Sequence, residues 1–489
     1  MNAPLTLPPP PVPPAHGGAS PAPKAGKSAA ERSASHTEPV RPAPVAKGVP
    51  ILGQIPALRK KGFMRVIFDE WYRHGDVFRI KLGPQPALVV AHPDGLERVL
   101  ASHLTNYPKG VTYDGVREIL GQGLVTSMGR HWRKQRTLLQ PTFHRASLEE
   151  MVQCMVEQAD IYFADLKQRH PSGGTLDAHR EMTKLTLDVV INALFGAGLL
   201  TSADVSYESV IGALEVVNER SNGFALPLKI PTPKNLKFRR VLNDLNGIVY
   251  GLIDKARALG VDHPSIRSTL LGMLLSSKDA DTGEPLADEL IRDELLTFFV
   301  AGHETTALTM TWLFTLLDQS PDVIDKLREE SERVVGGRLP TFEDLPKLTY
   351  TLQVIHETLR LRGPVAVVAR NAVADDNICG YEVKKGDMVM PFFYAAHRHP
   401  DFWEDPDRFD PDRFSEARSQ GRDRWCYLPF SAGQRVCIGN NFSLYESQLI
   451  IAMLVQRCDF GLVPGQSIEP EMIATVRPSA PVMVDLRWR

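Results

Sequence analysis

The chain has 489 residues, 43% of them hydrophobic and 23% charged, and its 56 Lys and Arg nearly balance its 58 Asp and Glu for a formal charge of -2. Such a balance offers nucleic acid no electrostatic footprint, and the absence of any run of 18 apolar residues argues against a membrane span. Five cysteines, at 154, 379, 426, 437 and 458, form no C-x-x-C pair, which argues against structural zinc and for a reducing, cytoplasmic setting.

In chain order, residues 1–47 are rich in Pro and Ala, include the run Pro8 to Pro11, and hold too few apolar side chains to bury a core. Disorder or polyproline II is expected there, and the lack of an apolar stretch speaks against a signal peptide. Residues 48–489 carry globular patterning, mainly α with a smaller β region. Alternating residues at 77–82 and 87–91 predict strands of a small sheet, and 377–391 reads as a hairpin followed by another strand. Apolar spacing of 3.6 predicts helices at about 145–169, 178–195, 236–259, 286–319, 321–335, 345–362 and 440–456. Gly196-Ala-Gly198 begins like a dinucleotide fingerprint but lacks the third glycine and the acidic partner, so it reads as a helix end.

Within the 286–319 helix, Ala301-Gly302-His303-Glu304-Thr305-Thr306 stands out. Phe298, Ala301 and Thr305 share one face at i, i+3 and i+7. The Thr305 hydroxyl can bond back to the Ala301 carbonyl, loosening the helix and leaving room for water, and Glu304 can supply protons beside it. His303-Glu304 begins like the zinc-protease H-E-x-x-H, but the second histidine is missing and His303 lies about 200° around the helix from Ala301. Further on, Glu357 and Arg360 stand at i, i+3 on a helix that also carries Leu352, Ile355, Leu359 and Leu361, so the pair is expected to be buried.

The segment Phe430-Ser-Ala-Gly433-Gln-Arg435-Val-Cys437-Ile-Gly439 runs straight into the last predicted helix. Orphan backbone N-H groups and the positive end of a helix dipole favour thiolate over thiol, and a thiolate binds iron. Gly433 permits a tight loop of positive φ, Gly439 lets a flat macrocycle approach the backbone, Phe430 shields one side, and Arg435 can meet a carboxylate. The pattern F-x-x-G-x-R-x-C-x-G resembles the heme-ligand loop of the cytochrome P450 superfamily at every fixed position, and the likeness extends from about residue 47 to the end of the chain.

The resemblance implies the cytochrome P450 fold and a cytochrome P450 monooxygenase domain at 48–489. It makes Cys437 the proximal ligand of heme b (iron protoporphyrin IX), and thiolate ligation favours O-O cleavage. Thr305 and Glu304 become the catalytic proton relay, with Ala301 leaving room above the iron. Trp132 and Arg136 resemble the family's W-x-x-x-R and, with Arg370 and Arg435, would take the heme propionates. Glu357 and Arg360 would join Arg413 of Pro411-Asp-Arg413-Phe414 to brace the cysteine loop. Substrate walls would come from Tyr113, Val116, Leu120, residues 218–228, Phe298, Phe299, Val365, Val367 and Ala474, an apolar set suited to a lipophilic molecule, fatty acids or terpenoids being favoured. Electrons would arrive from a separate ferredoxin or flavodoxin with its reductase, an acidic donor docking on Arg133, Lys134, Arg422 and Arg424. Two other readings stay open: a heme-thiolate peroxygenase or isomerase that does not activate dioxygen, and a non-catalytic heme-binding sensor. The Pro-rich N-terminus and the wording Arg362-Gly363-Pro364 depart from the family pattern.

Overall fold

Helices dominate because the apolar positions recur every three or four residues over long stretches with few interior Gly or Pro. The computed structural model describes residues 26–28, 31–32, 40–200 and 229–489, so the expected pocket segment 218–228 lies outside the described residues. Helices of ten residues or more among them are Phe63–His74 (α1), Gly129–Leu139 (α2), Arg145–Arg169 (α3), Ala178–Val190 (α4), Pro233–Leu259 (α5), Asp288–Leu317 (α6), Pro321–Val334 (α7), Thr349–Arg362 (α8) and Asn440–Arg457 (α9). α3 starts and stops where its periodicity predicts. α8 starts later than expected because Pro346 sits in a preceding 3-10 turn, Phe342–Lys347, closed by a Thr341–Asp344 capping box. Gly196, with φ 122°, ends the turn after α4, as its sequence context suggested.

The strands are Val77–Leu82 (β1), Gln85–Val90 (β2), Gly174–Asp177 (β3), Arg370–Asn371 (β4), Asp376–Ile378 (β5), Tyr381–Val383 (β6), Met388–Pro391 (β7), Cys458–Leu462 (β8), Pro470–Met472 (β9), Val476–Pro478 (β10) and Met483–Trp488 (β11). The chain divides into two units. One comprises 1–110, 356–437 and 467–480 and is built on the sheet β1-β2-β7-β4, in which β2 and β7 run parallel and the other pairs antiparallel. Its core gathers Leu88, Val90, Leu96, Leu100, Phe393, Trp425 and Leu428. We call it the sheet unit.

Residues 40–47, assigned to the extension by composition, run along the sheet unit. Arg41 bridges Tyr381, Val45 bridges Arg79, and Ala43 and Ala46 are buried. The other unit, 111–355, 438–466 and 481–489, holds α2 to α7 and α9 with the sheet β3-β11-β8; we call it the helical unit. There α6 is apolar almost all round, as suits a central helix, and packs against α4, where Gly302 earns its place: a Cβ would come within 3.2 Å of Val190.

Candidate active site

In the sheet unit, the loop from Phe430 is shaped by backbone alone at two points. Gly433 has φ 67°, and a Cβ there would lie 2.2 Å from the Leu100 carbonyl oxygen, so glycine serves both the turn and the close approach. Ser431 also occupies the left-handed region, at φ 60°, a strained position that sequence reading missed. The Cys437 N-H donates to the Phe430 carbonyl at 2.9 Å and closes the loop. All five cysteines are outside disulfides. Cys154, Cys379, Cys426 and Cys458 are each pushed up to about 12 by burial and stay thiols, whereas Cys437 alone is exposed.

Behind the loop, Glu357 and Arg360 have no solvent exposure and meet as a two-pronged fork, Nε to Oε2 at 2.7 Å and Nη2 to Oε1 at 2.8 Å. Arg413 lies 3.4 Å from Glu357 Oε1, and the Asp410 N-H donates to the same oxygen at 2.9 Å. The structure therefore brings all three brace residues together. Arg360 Nη1 also donates to the carbonyls of His397 at 2.8 Å and Pro406 at 2.6 Å. His397 continues the chain, its Nε2 accepting the Leu428 N-H at 2.8 Å two residues before Phe430. Burial, then the charges of Arg398 and Arg360, push His397 down to about 3, so it is neutral and free to accept. No spacing in the sequence singled out His397.

Arg435 is half-buried in the 3-10 turn Gly433–Arg435, and Phe430 is also half-buried. Arg370 is buried on β4, where Nη1 donates to the Ala369 carbonyl at 2.8 Å. Val365 and Val367 are half-buried and Ala474 is exposed; the Val476 N-H donates to the Pro364 carbonyl at 2.8 Å, tying the turn that carries Ala474 beside them.

In the helical unit, Thr305 Oγ1 donates to the Ala301 carbonyl at 3.0 Å, the back-bond its spacing predicts. Ala301 is exposed and Glu304 buried. His303 turns away as expected, its Nδ1 2.5 Å from the Phe299 carbonyl and its own carbonyl accepting from Thr186. Phe298 and Phe299 part company: Phe298 stacks on Phe143, whereas Phe299 stacks on Phe195 and touches His303. Neighbours on a helix differ by about 100°, which puts Phe299 on the His303 side, not with Ala301. Leu120 is buried, Tyr113 and Val116 are half-buried, and the short helix Asp114–Leu120 packs on α6. Trp132 is buried and Arg136 half-buried on α2.

Two carboxyls that sequence reading passed over lie in the same unit. Glu294 is buried on α6 with Oε2 accepting the Leu124 N-H at 3.0 Å and Oε1 without a hydrogen bond. Burial pushes its pKa up to about 8, the Leu124 N-H opposing and the Asp293 charge adding to the rise. Glu446 on α9 is fully buried, and neither oxygen makes a well-formed hydrogen bond. Burial raises its pKa well above the carboxylate range, only partly offset by the nearby Thr306 hydroxyl, so it is a neutral acid.

The residues present fit a heme. A Cβ on Gly439 would meet nothing closer than a Phe143 ring carbon at 4.0 Å, leaving open space beside the backbone where α9 begins, and Cys437 is exposed two residues before it. Ala301 presents a small, exposed side chain midway along a helix whose residues are mostly buried. Of the four cations expected to dock a donor, Arg133 and Arg424 are exposed, whereas Lys134 pairs with Asp281. Arg422 is instead structural, stacked on Trp403 at 4.6 Å and Phe414 at 5.0 Å with its guanidinium on the carbonyls of Arg413 and Arg418. No helix of the described residues is long and apolar enough to cross a membrane.

A family model described as Cytochrome P450 matches residues 42–486. The chain is similar to cyclooctat-9-en-7-ol 5-monooxygenase of Streptomyces melanosporofaciens, 34% identical over 86% of this chain and 90% of the relative. It is also similar to pentalenene oxygenase of Streptomyces avermitilis, 33% identical over 82% and 88%, and to putative cytochrome P450 132 of Mycobacterium tuberculosis, 33% identical over 85% and 91%. Among solved structures, the cytochrome P450DA heme domain superposes with a TM-score of 0.83 at 25% identity, covering 92% of this chain and 98% of that one.

Proposed function

Because this chain belongs to the cytochrome P450 family of heme-iron monooxygenases, we propose that it hydroxylates or epoxidises an uncharged terpenoid, using electrons from a separate ferredoxin or flavodoxin with its reductase. The observation that carries the reading is Cys437, the one exposed cysteine of five, at the entry to α9 with a buried ionic brace behind its loop. The group implied is heme b, which the Cys437 sulfur would hold, with Phe430, Gly439 and Ala301 as the residues expected to make room for it and Trp132, Arg136, Arg370 and Arg435 as those expected to take its propionates. When bound, it supplies a thiolate-ligated iron that activates dioxygen.

The chain's own part is to hold the sulfur and to manage protons and water. Glu357, Arg360 and Arg413 brace the loop so that the sulfur keeps one position. The Thr305 hydroxyl spends its proton on the Ala301 carbonyl, so its oxygen faces outward as an acceptor for water. Glu304, the next residue back, supplies protons to that water. Tyr113, Val116, Leu120, Phe298, Val365, Val367 and Ala474 are the residues assigned to substrate. None carries a charge, which favours a neutral terpenoid over a fatty acid, as do the uncharged alkene and alkenol in the names of two relatives. A cytoplasmic setting agrees with five cysteines outside disulfides.

The test is a spectral screen of neutral terpenes and fatty acids for displacement of water from the ferric heme, then product analysis with reduced ferredoxin and dioxygen. Oxygenated terpene is expected. Turnover with peroxide but none with dioxygen and ferredoxin overturns the monooxygenase reading, and selective binding of fatty acids overturns the substrate class.

A further inference from the structure

The N-terminal extension, a departure from the family pattern, sends one arginine into the sheet unit. Arg32 is 4% exposed; its Nη1 donates to Asp94 Oδ1 at 2.7 Å and its Nη2 to Asp423 Oδ2 at 2.5 Å. Both aspartates are themselves buried, Asp94 at 0% and Asp423 at 1% exposure. Lys27 adds a second contact to Asp94 at 2.6 Å, and the Gly26 N-H donates to the Gly421 carbonyl at 2.9 Å. Ser28 and Glu31 cap one another, the Ser28 N-H on Glu31 Oε2 at 2.7 Å and the Glu31 N-H on Ser28 Oγ at 3.3 Å, which stiffens the turn that presents Arg32.

The two aspartates belong to the two elements that hold the Cys437 loop. Asp94 lies in the short helix Pro93–Glu97, which runs on through Leu100, whose carbonyl is the backbone pressed against Gly433. Asp423 caps the turn Arg424–Cys426, its Oδ1 accepting the Trp425 N-H at 2.9 Å, and that turn leads through Leu428 into Phe430. Leu96, Leu100, Trp425 and Leu428 share one apolar core, with Ala432 of the loop packed on it. Arg32 thus joins the helix that reaches Leu100 to the turn before Phe430 from a point almost 400 residues upstream of Asp423.

We propose that Arg32 is a positioning residue for the Cys437 loop: by binding Asp94 and Asp423 at once it ties the helix behind Gly433 to the turn before Phe430, and so fixes where the sulfur stands. The extension is then part of the thiolate support and not a dispensable tail. Physically, the guanidinium cannot leave without taking the cation from buried Asp423 and leaving Asp94 to Lys27, so the tie is strong in one direction only: breaking it costs more than its presence contributes. The proposal rests on Cys437 being the iron ligand.

The test uses the full-length, heme-loaded chain and three variants: Arg32→Ala, the triple Arg32→Met/Asp94→Asn/Asp423→Asn, which removes the three buried charges together, and, as a control for loss of an ion pair elsewhere, Arg257→Ala, which removes an exposed pair with Asp288. Two quantities are read, the persistence of the red-shifted thiolate band of the ferrous carbon monoxide complex and amide hydrogen exchange at Ser431 and Cys437. In Arg32→Ala and in the triple variant, those amides are expected to exchange about tenfold faster or more and the thiolate band to decay to the non-thiolate form severalfold sooner, with Arg257→Ala unchanged in both. The triple variant strands no buried charge, because Lys27, which loses Asp94, is part-exposed, so it answers even where Arg32→Ala does not fold. Wild-type exchange at Ser431 and Cys437 in the triple variant overturns the proposal. A wild-type protein without the thiolate band overturns the ligand assignment instead, and the exchange measurement still decides whether Arg32 holds the loop.

Discussion

Glu357 of the sheet unit and Glu294 and Glu446 of the helical unit are all buried, and their surroundings treat them in opposite ways. In the sheet unit Glu357 has Arg360 in a fork and Arg413 beside it, and its Oε1 also accepts the Asp410 N-H. In the helical unit Glu294 accepts one backbone N-H and, among the described residues, neither it nor Glu446 forms an ion pair, so burial drives both toward the neutral acid. A buried carboxyl matched by charge is a fixed strut; one left without a cation keeps its proton. The first arrangement suits the loop proposed to hold the Cys437 sulfur still, the second a unit proposed to handle protons.

The same substitution made at three sites separates the two cases. Glu357→Gln strips the charge from a brace whose guanidiniums remain buried, and it is expected to destabilise the fold by about 3–5 kcal/mol in denaturant unfolding, with loss of heme on purification. A cost under about 1 kcal/mol would erase the contrast. Next in size, Thr305→Ala removes the hydroxyl that back-bonds to Ala301 and is expected to lower product per electron consumed by about 10²-fold, the extra electrons appearing as reduced oxygen. Unchanged coupling in that assay would take Thr305 out of the proton path.

Glu294→Gln should show its effect through pH. The folded pKa of about 8 stands above the ordinary value of 4.5, so the native state holds this proton more tightly than the unfolded chain; its stabilisation is full below about pH 4.5 and is lost as pH rises through 8. Wild-type stability is therefore expected to fall between about pH 4.5 and 8 and to level off above it, and the Gln variant to fall less over the same range. Parallel curves in thermal melts across that range would assign the slope to other groups. Smallest of all, Glu446→Gln exchanges one neutral group for another of equal size and is expected to cost about 1 kcal/mol or less at pH 7. A loss as large as that of Glu357→Gln would mean that Glu446 is ionised in the native state.

Much of this was legible in the residues. β1 and α3 begin and end where alternation and 3.6 periodicity place them, because long regular patterns specify one face over many turns. The Thr305 back-bond followed from a spacing of four, and the Glu357–Arg360 fork from a spacing of three, both local consequences of helix geometry. Long-range features were not. Phe299 finds its partner Phe195 only once the turn after α4 packs against α6. Arg422 reads as surface charge until Trp403 and Phe414 close over it. Residues 40–47, sparse in large apolar side chains, find partners on β1 and β6, and the Pro/Ala composition around Arg32 conceals a guanidinium whose two carboxylates lie 62 and 391 residues away.

The sequence by itself determined the family, the Cys437 loop with its glycines, and the helix that carries Ala301 and Thr305, since each is written within one turn or one loop and needs no distant partner. Only the tertiary structure decided which buried charges are struts and which are proton holders, because a pKa depends on what surrounds a carboxyl in space, and those neighbours come from segments that no local spacing links.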